Sequence, residues 1–317
     1  MSKRRLLVTG SRGFVGSNLL AALQTERWAN HFTPVDFVDP ETGNGPDLRD
    51  QLAVRRAISA VDPDAVVHLA AIAAPRQAAQ DPAAAWHVNT MGTFNLARAV
   101  LDHAPDAQFV FAGSSEAYGA SFNKAEGGPI VEAAPLEPMS PYGATKAAAD
   151  IMLRQMVHEG LKATVFRPFN HTGPGQGTGF VVPAFAHQIA SIEQGLQPPI
   201  LKVGNLEAQR DFLDVRDVVE AYLRAAMGDD RASEKVLNLS TGSPVSISWI
   251  LHRLIEIGGV DAVVEVDPAR YLPNTIPVMS GNNSKAEATL GWSPTISLDQ
   301  TLRDVLEEAR MTIAGGR

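Results

Sequence analysis

The chain predicts an α/β fold with a doubly wound parallel sheet and a smaller C-terminal α/β domain. Three observations carry this. Apolar runs alternate with helix-like segments through residues 1–167. The first run ends in a glycine turn, Gly10-Ser-Arg-Gly13-Phe-Val-Gly16. After residue 167 the chain becomes turn-rich and polar. The break sets an expected division into one domain of residues 1–167 plus 211–240 and another of 168–210 plus 241–317.

Residues 6–9 read as the first strand and 16–25 as the helix opened by the glycine turn. Residues 34–38 form a weak strand, 51–61 a helix and 65–71 (AVVHLAA) a buried strand. A long helix covers 83–103, a strand 108–112, a helix 140–159 and a strand 162–167. Crossovers between such strands should be right-handed. Residues 168–179 are too polar for core, and loops of this kind at strand carboxyl ends are where α/β proteins bind ligands. Helices are expected at 181–194, 215–227, 247–257 and 298–310, and strands at 200–203 and 236–239. Residues 267–277 form a proline-bearing loop able to fold over a ligand.

The 317 residues are 45% hydrophobic and 20% charged, enough for a large core and two lobes. Net charge is −8 and no basic stripe recurs, which argues against nucleic acid. No run approaches a membrane span. Lys3-Arg4-Arg5 precedes an apolar stretch too short for a signal peptide, broken by Thr9-Gly10-Ser11-Arg12. A cytoplasmic location is expected. The absence of cysteine excludes disulfides, thiolate zinc sites and cysteine nucleophiles, and no metal is expected.

The glycine turn follows the first strand and opens a helix, the context in which glycines let backbone approach a dinucleotide diphosphate. This gives a Rossmann-type first domain, with Gly10, Arg12, Gly13, Phe14, Val15 and Gly16 expected at the cofactor. The alternative is a turn that only packs helix on strand. Asp36 or Asp39, after the second strand, could accept from the adenosine ribose. Arg12 favours a 2′-phosphate instead, unless it is only a solvated charge. Asp47 and Leu48 could meet the adenine edge, or Asp47 could cap a helix.

Tyr142-Gly-Ala-Thr-Lys146 places a phenol and an ammonium one helical turn apart, behind the helix start Ser140-Pro141. A phenol beside a cation is a proton donor suited to a carbonyl oxygen, and Lys146 is expected to lower the Tyr142 pKa. Ser114, after the strand at 108–112, could hold the same oxygen. Together these predict hydride transfer with NADPH or NADH as carrier. The alternative is a surface Tyr and Lys on an amphipathic helix. His68, in a strand, reads as a core residue.

The strings TGSRGFVG, HLAA, GSSEAYG, SPYGATK, RPFN and RDFLDVRDVV stand in the order of the extended short-chain dehydrogenases/reductases, and the chain resembles that family along its length. RPFNHTGPGQ, GFV and KVGNLEAQRDF are similar to the GDP-4-keto-6-deoxy-D-mannose reductases, which reduce C4 of their substrate with NAD(P)H to make GDP-D-rhamnose. The resemblance implies cofactor contacts at Leu69, Ala70, Ala71, Phe169 and His171 and ribose binding by Lys146. It implies substrate contacts at Ser115, Glu116, Asn170, Val181, Lys202 and Arg210, with Lys202 and Arg210 facing base and phosphates. An Arg–phosphate pair suits a diphosphate sugar; Arg210 could instead pair with Asp211 or Asp214. The resemblance also implies a homodimer built on a four-helix bundle from 83–103 and 140–159.

The chain departs from the reductases in the C-terminal loop. Their Arg-Pro-x-Glu type string is replaced by Arg270-Tyr-Leu272-Pro273-Asn274-Thr275, with Leu272 and Thr275 at the charged positions and Arg270 as a substitute. Competing expectations are a GDP-mannose-type 4,6-dehydratase, in which Glu116 is the base, and a nucleotide-sugar epimerase with bound NAD(P). A non-enzymatic cofactor sensor is more remote, because both Tyr142 and Lys146 are present. A GDP-fucose-type 3,5-epimerase-reductase is less favoured, because its cysteine–histidine pair cannot exist here.

Overall fold

The computed structural model describes residues 2–228, 235–270 and 275–315. Its centre is a six-stranded parallel sheet in the order Lys235–Leu239, Lys162–Pro168, Gln108–Ala112, Ala65–His68, Arg4–Thr9, Phe32–Val35. From Arg4–Thr9 the chain first builds outward to Phe32–Val35, then returns to the other side at Ala65–His68. The gap between these two directions is the topological switch point, where open α/β sheets bind ligands.

Strand alternation divides the core. Leu6, Val8, Val67 and Leu237 face one side, packing with Leu19 of helix Phe14–Ala22 and Val218 and Tyr222 of helix Val215–Met227. Leu7, Val66, Phe109, Phe111 and Val165 face the other, against helices Gln51–Val61, Thr93–His103 and Pro141–Val157. A separate core joins helices Val181–Glu193, Ile247–Gly258 and Leu298–Gly315. Strand Ile200–Val203 pairs in parallel with Val263–Val266 beside it. Helix Ser284–Leu290, unexpected from the sequence, contributes Ala286 to the sheet's core, and Trp292 follows it there. Among the described residues no helix is long and apolar enough to cross a membrane.

Several boundaries differ from expectation, each for a local reason. The first helix begins at Phe14, directly behind Gly13. The weak second strand is Phe32–Val35, so Asp36 stands just past its carboxyl end. The third strand ends at His68, because Leu69–Ala71 turns against the glycine loop: a Cβ on Gly10, whose φ is +71°, would lie 2.8 Å from the Ala70 nitrogen. The long helix expected at 83–103 is divided into Pro82–Ala85, a π-helical segment Trp86–Gly92 and Thr93–His103. In that segment the Thr93 hydroxyl donates to the Asn89 carbonyl at 2.6 Å. Asn89 also brackets Ile72, accepting from its nitrogen at 2.8 Å and donating to its oxygen at 3.1 Å. Insertions of this kind in helices are frequent at functional sites.

Candidate active site

Parallel strands deliver their carboxyl ends to one edge, so Gly10, Asp36, Leu69, Ser114 and Asn170 all emerge there. Helix Phe14–Ala22 starts without a side-chain cap and without an acid in its first turn. Its first-turn N–H groups at Phe14 and Val15 fit an anionic diphosphate, whereas the Gly13 N–H is given to the Gly10 carbonyl at 3.0 Å. Arg12 is exposed beside them and has no ion-pair partner among the described residues. Asp36 is also exposed, whereas Asp39 is buried and bound to Arg56 at 2.6 Å, which holds its carboxyl below the usual range. Of the two acids, only Asp36 is free for a ribose.

Beneath this cradle lies a polar network. Thr93 gives its proton to Asn89, so its oxygen must accept from His68 Nε2 at 2.9 Å. Nδ1 then accepts from the Thr9 hydroxyl at 2.7 Å. His68 is 1% exposed, and burial, helped by the Lys146 charge, pushes its pKa down to about 3. It is a neutral core residue, as its strand position suggested.

The proton-transfer group sits on helix Pro141–Val157. Pro141 opens the first turn, and the Ser140 side chain caps it by accepting from the Gly143 nitrogen at 3.0 Å. The same hydroxyl donates to Glu116 Oε2 at 2.9 Å. Gly143 permits this junction, since a Cβ there would lie 2.7 Å from the Glu116 carbonyl. Ser114 caps the 3-10 turn Ser115–Ala117 by accepting from the Glu116 nitrogen at 3.1 Å, and Ser115 is 3% exposed. Two caps thus bring Ser114, Glu116 and Tyr142 together.

The electrostatics correct one expectation. Lys146 is 4% exposed, donates to the Ala112 carbonyl at 2.7 Å and lies 4.8 Å over the Phe111 ring. Burial pushes its pKa down to about 7. The Tyr142 pKa is raised rather than lowered: burial dominates, the Glu116 charge adds to it, and hydrogen bonding to Ser114 opposes. Lys146 stands 6.0 Å from the phenol ring centroid, too far to reverse desolvation. Glu116 is raised by burial, with Ser140 and the nearby Arg210 charge opposing.

The remaining candidates divide. Arg210 faces Glu116, and its guanidinium donates to the carbonyls of Gln209 at 2.8 Å and Ile276 at 3.0 Å. The acids suggested as its partners are engaged elsewhere: Asp211 binds Thr241 and Gly242, and Asp214 binds Arg216. Asn170 is exposed at the start of strand Asn170–Thr172. His171 stacks on Phe14, with centroids 6.1 Å apart and planes 7° apart, so it borders the cradle. Phe169 does not; its ring is 1% exposed and packs edge-on against Phe122, its N–H donates to the Leu239 carbonyl at 2.8 Å, and its own carbonyl pairs with His171 Nδ1 at 3.0 Å. Leu48 likewise turns into the core, while Asp47 pairs with Arg49 and Asp50 caps the following helix. Leu69 and Ala70 are partly buried against the two faces of the sheet, and Ala71 is half-buried. Val181 opens its helix half-buried on the C-terminal core. Lys202 is exposed, and Arg270 pairs with Asp267 at 3.4 Å; no described contact joins either to Glu116 or Tyr142. Leu272 lies outside the described residues, and Thr275 is exposed.

The loop after Asn170 is fastened twice. Asn18, on the cradle helix, donates to the Pro174 carbonyl at 3.0 Å. The Gly175 nitrogen donates to both carboxylate oxygens of Glu308 at 2.8 Å, from the last helix.

A glycine turn opening a helix at a switch point, beside a Ser-Tyr-Lys group with Ser114 and Lys146 buried and Tyr142 half-buried, defines a short-chain dehydrogenase/reductase. More narrowly, the chain belongs to the GDP-mannose 4,6 dehydratase family, which it matches over residues 7–305. It is 35% identical to the GDP-6-deoxy-D-mannose reductase of Pseudomonas aeruginosa over 96% of this chain and 97% of that protein. The structure of RMD from Pseudomonas aeruginosa complexed with NADPH is similar with a TM-score of 0.86 and 33% identity, covering 98% of this chain and 100% of that one. The GDP-6-deoxy-D-talose 4-dehydrogenase of Aggregatibacter actinomycetemcomitans is 28% identical over 96% of each chain.

Sequence reasoning missed Asn89, Thr93 and Thr9, which shape the floor of the cradle. It also missed the bond from Ser140 to Glu116. Nothing in local spacing marks Asn89, whose side chain reaches Thr145 across 56 residues at 3.1 Å.

Proposed function

We propose that the protein reduces the C4 ketone of GDP-4-keto-6-deoxy-D-mannose, giving GDP-D-rhamnose, with NADPH or NADH. The observation that carries this is a half-buried Tyr142 bonded to Ser114, with a raised pKa, at the same strand edge as the open helix N-terminus. Bound nicotinamide supplies hydride to the carbonyl carbon. Tyr142 is a neutral phenol at neutral pH and gives its proton to the C4 oxygen, while Ser114 hydrogen-bonds that oxygen as charge develops. Lys146 holds ribose hydroxyls and keeps positive charge beside the phenolate that remains. The relatives' names support the GDP-sugar and the reduced cofactor.

The test is incubation with GDP-4-keto-6-deoxymannose and NADPH, followed by NMR of the product. NADPH consumption with a C4 alcohol supports the reading. A keto product from GDP-mannose, with no NADPH consumed from the keto sugar, assigns a 4,6-dehydratase instead.

Arg12 is free to grip a 2′-phosphate. Arg12→Ala is expected to weaken NADPH by about 10- to 100-fold, the range for hydrogen bonds to charged groups, and to leave NADH nearly unchanged. Fluorescence titration of both cofactors checks this, and an equal loss for both contradicts it. Arg210, partly buried near the Glu116 charge, is the guanidinium we assign to the diphosphate. Arg210→Ala is expected to cost GDP about 2 kcal/mol or more in calorimetry. Comparing GDP, UDP, CDP and dTDP tests the base, and micromolar binding of another nucleotide with no GDP binding overturns the GDP assignment.

The two-domain division and the homodimer belong to the same reading. Trp86 (43% exposed), Met91 (49%) and Ile151 (56%) give the helices at 82–103 and 141–157 an apolar outer face. On the second helix Ala144 and Ala148 continue it with small side chains. Light scattering at micromolar concentration is expected to give twice the chain mass; a monomer contradicts the bundle.

A further inference from the structure

Ser114 and Glu116 come from one segment and Tyr142 and Lys146 from another, yet the proton transfer needs them in fixed register. One buried side chain, used by none of the chemistry above, touches both. Arg167, on strand Lys162–Pro168, is 1% exposed. Its Nε and Nη2 donate to the two oxygens of Asp150 at 2.7 and 3.1 Å. Asp150 is itself 1% exposed and lies one turn beyond Lys146 on the same helix. The Arg167 Nη1 donates to the Tyr118 hydroxyl at 2.9 Å and to the Glu132 carbonyl at 2.9 Å, and the guanidinium carbon lies 4.9 Å over the Tyr118 ring. Tyr118 closes the 3-10 turn that begins at Ser114, and its hydroxyl donates to Asn238 at 2.7 Å.

We infer that Arg167 is a positioning residue: through Asp150 on one side and Tyr118 on the other, it sets the distance between the Ser114–Glu116 turn and the Tyr142–Lys146 helix. A planar guanidinium with two parallel bonds to a carboxylate fixes direction as well as distance, which a lysine cannot do. Buried ion pairs are a poor source of net stability, since paired apolar residues of similar volume often serve as well. The network fits geometric control better than stabilisation. This inference rests on the ketoreductase reading of the site.

The experiment compares wild type, Arg167→Lys, and the paired variant Asp150→Leu with Arg167→Met. The pair removes both charges together, so no buried charge is left alone. Each is assayed with GDP-4-keto-6-deoxymannose and NADPH, NADPH affinity is measured by fluorescence, and amide hydrogen exchange is followed in peptides from 114–118 and 141–157. In both variants kcat is expected to fall about 100-fold, the scale of an ångström's misplacement, while NADPH Kd stays within about twofold and KM within about threefold of wild type, margins well below that loss. A kcat within about threefold of wild type in folded variants overturns the inference. So does a kcat loss that follows NADPH binding in proportion. If wild type does not turn the keto sugar over, the ketoreductase reading fails by itself. Exchange then decides the clamp: faster exchange in both peptides, with Gln108–Ala112 still protected, supports it, and unchanged exchange overturns it.

Discussion

Tyr142→Phe lowers turnover by about 100-fold or more, the usual scale for losing a general acid, with NADPH affinity unchanged. The ring stays, so packing beside Lys146 and the 3-10 turn stays with it. What goes is the phenol hydroxyl bonded to Ser114. The raised Tyr142 pKa makes the direction definite: the group works as an acid already protonated at neutral pH, not as a stored phenolate. Rapid-quench turnover with NADPH and the keto sugar measures it. Near-wild-type turnover would sink the assignment of Tyr142.

The second large effect is on stability at mild acid pH and comes from His68. Its ordinary pKa of 6.5 is pushed down to about 3 in the fold. Between those values the unfolded chain binds a proton that the native chain refuses. The stabilisation is therefore complete above pH 6.5 and is lost as pH falls. One proton over the interval from pH 6.5 to 5 amounts to about 2 kcal/mol. The charged ring would have to break the Thr9 bond at Nδ1, directly below Gly10. Urea unfolding across this interval should show a steeper decline for wild type than for His68→Gln. Equal slopes would show that His68 does not carry the effect. Lys146 changes little in this interval, being mostly protonated there in both states; its lowered pKa raises stability mainly as pH climbs from about 7 towards 10.5.

The elements of the sheet were legible because their signals are local. The glycine turn directly follows its strand, and the Tyr-x-x-x-Lys spacing is fixed by one helical turn. Arg167 was visible only as part of a string, because its meaning depends on Asp150, Tyr118 and Glu132, brought to it by strand pairing. Asp39 and Asp36 look alike in sequence, and only the approach of Arg56 from the next helix separates them. Phe169 sits next to exposed Asn170, but the pleat sends its ring into the core. The Tyr142 pKa was misjudged for a related reason: sequence gives the charge of Lys146 but not the depth at which both groups are held.

The loop fastened by Asn18 and Glu308 has a consequence for how the protein is made. Gly175 and Glu308 are separated by 133 residues. A growing chain has its glycine turn, Tyr142 and all six central strands synthesised well before residue 308 leaves the ribosome. The loop after Asn170 is thus the last part of the mouth to be tied. A chain cut before helix Leu298–Gly315 keeps Ser114, Tyr142 and Lys146 but holds that loop by Asn18 without the second tie from Glu308.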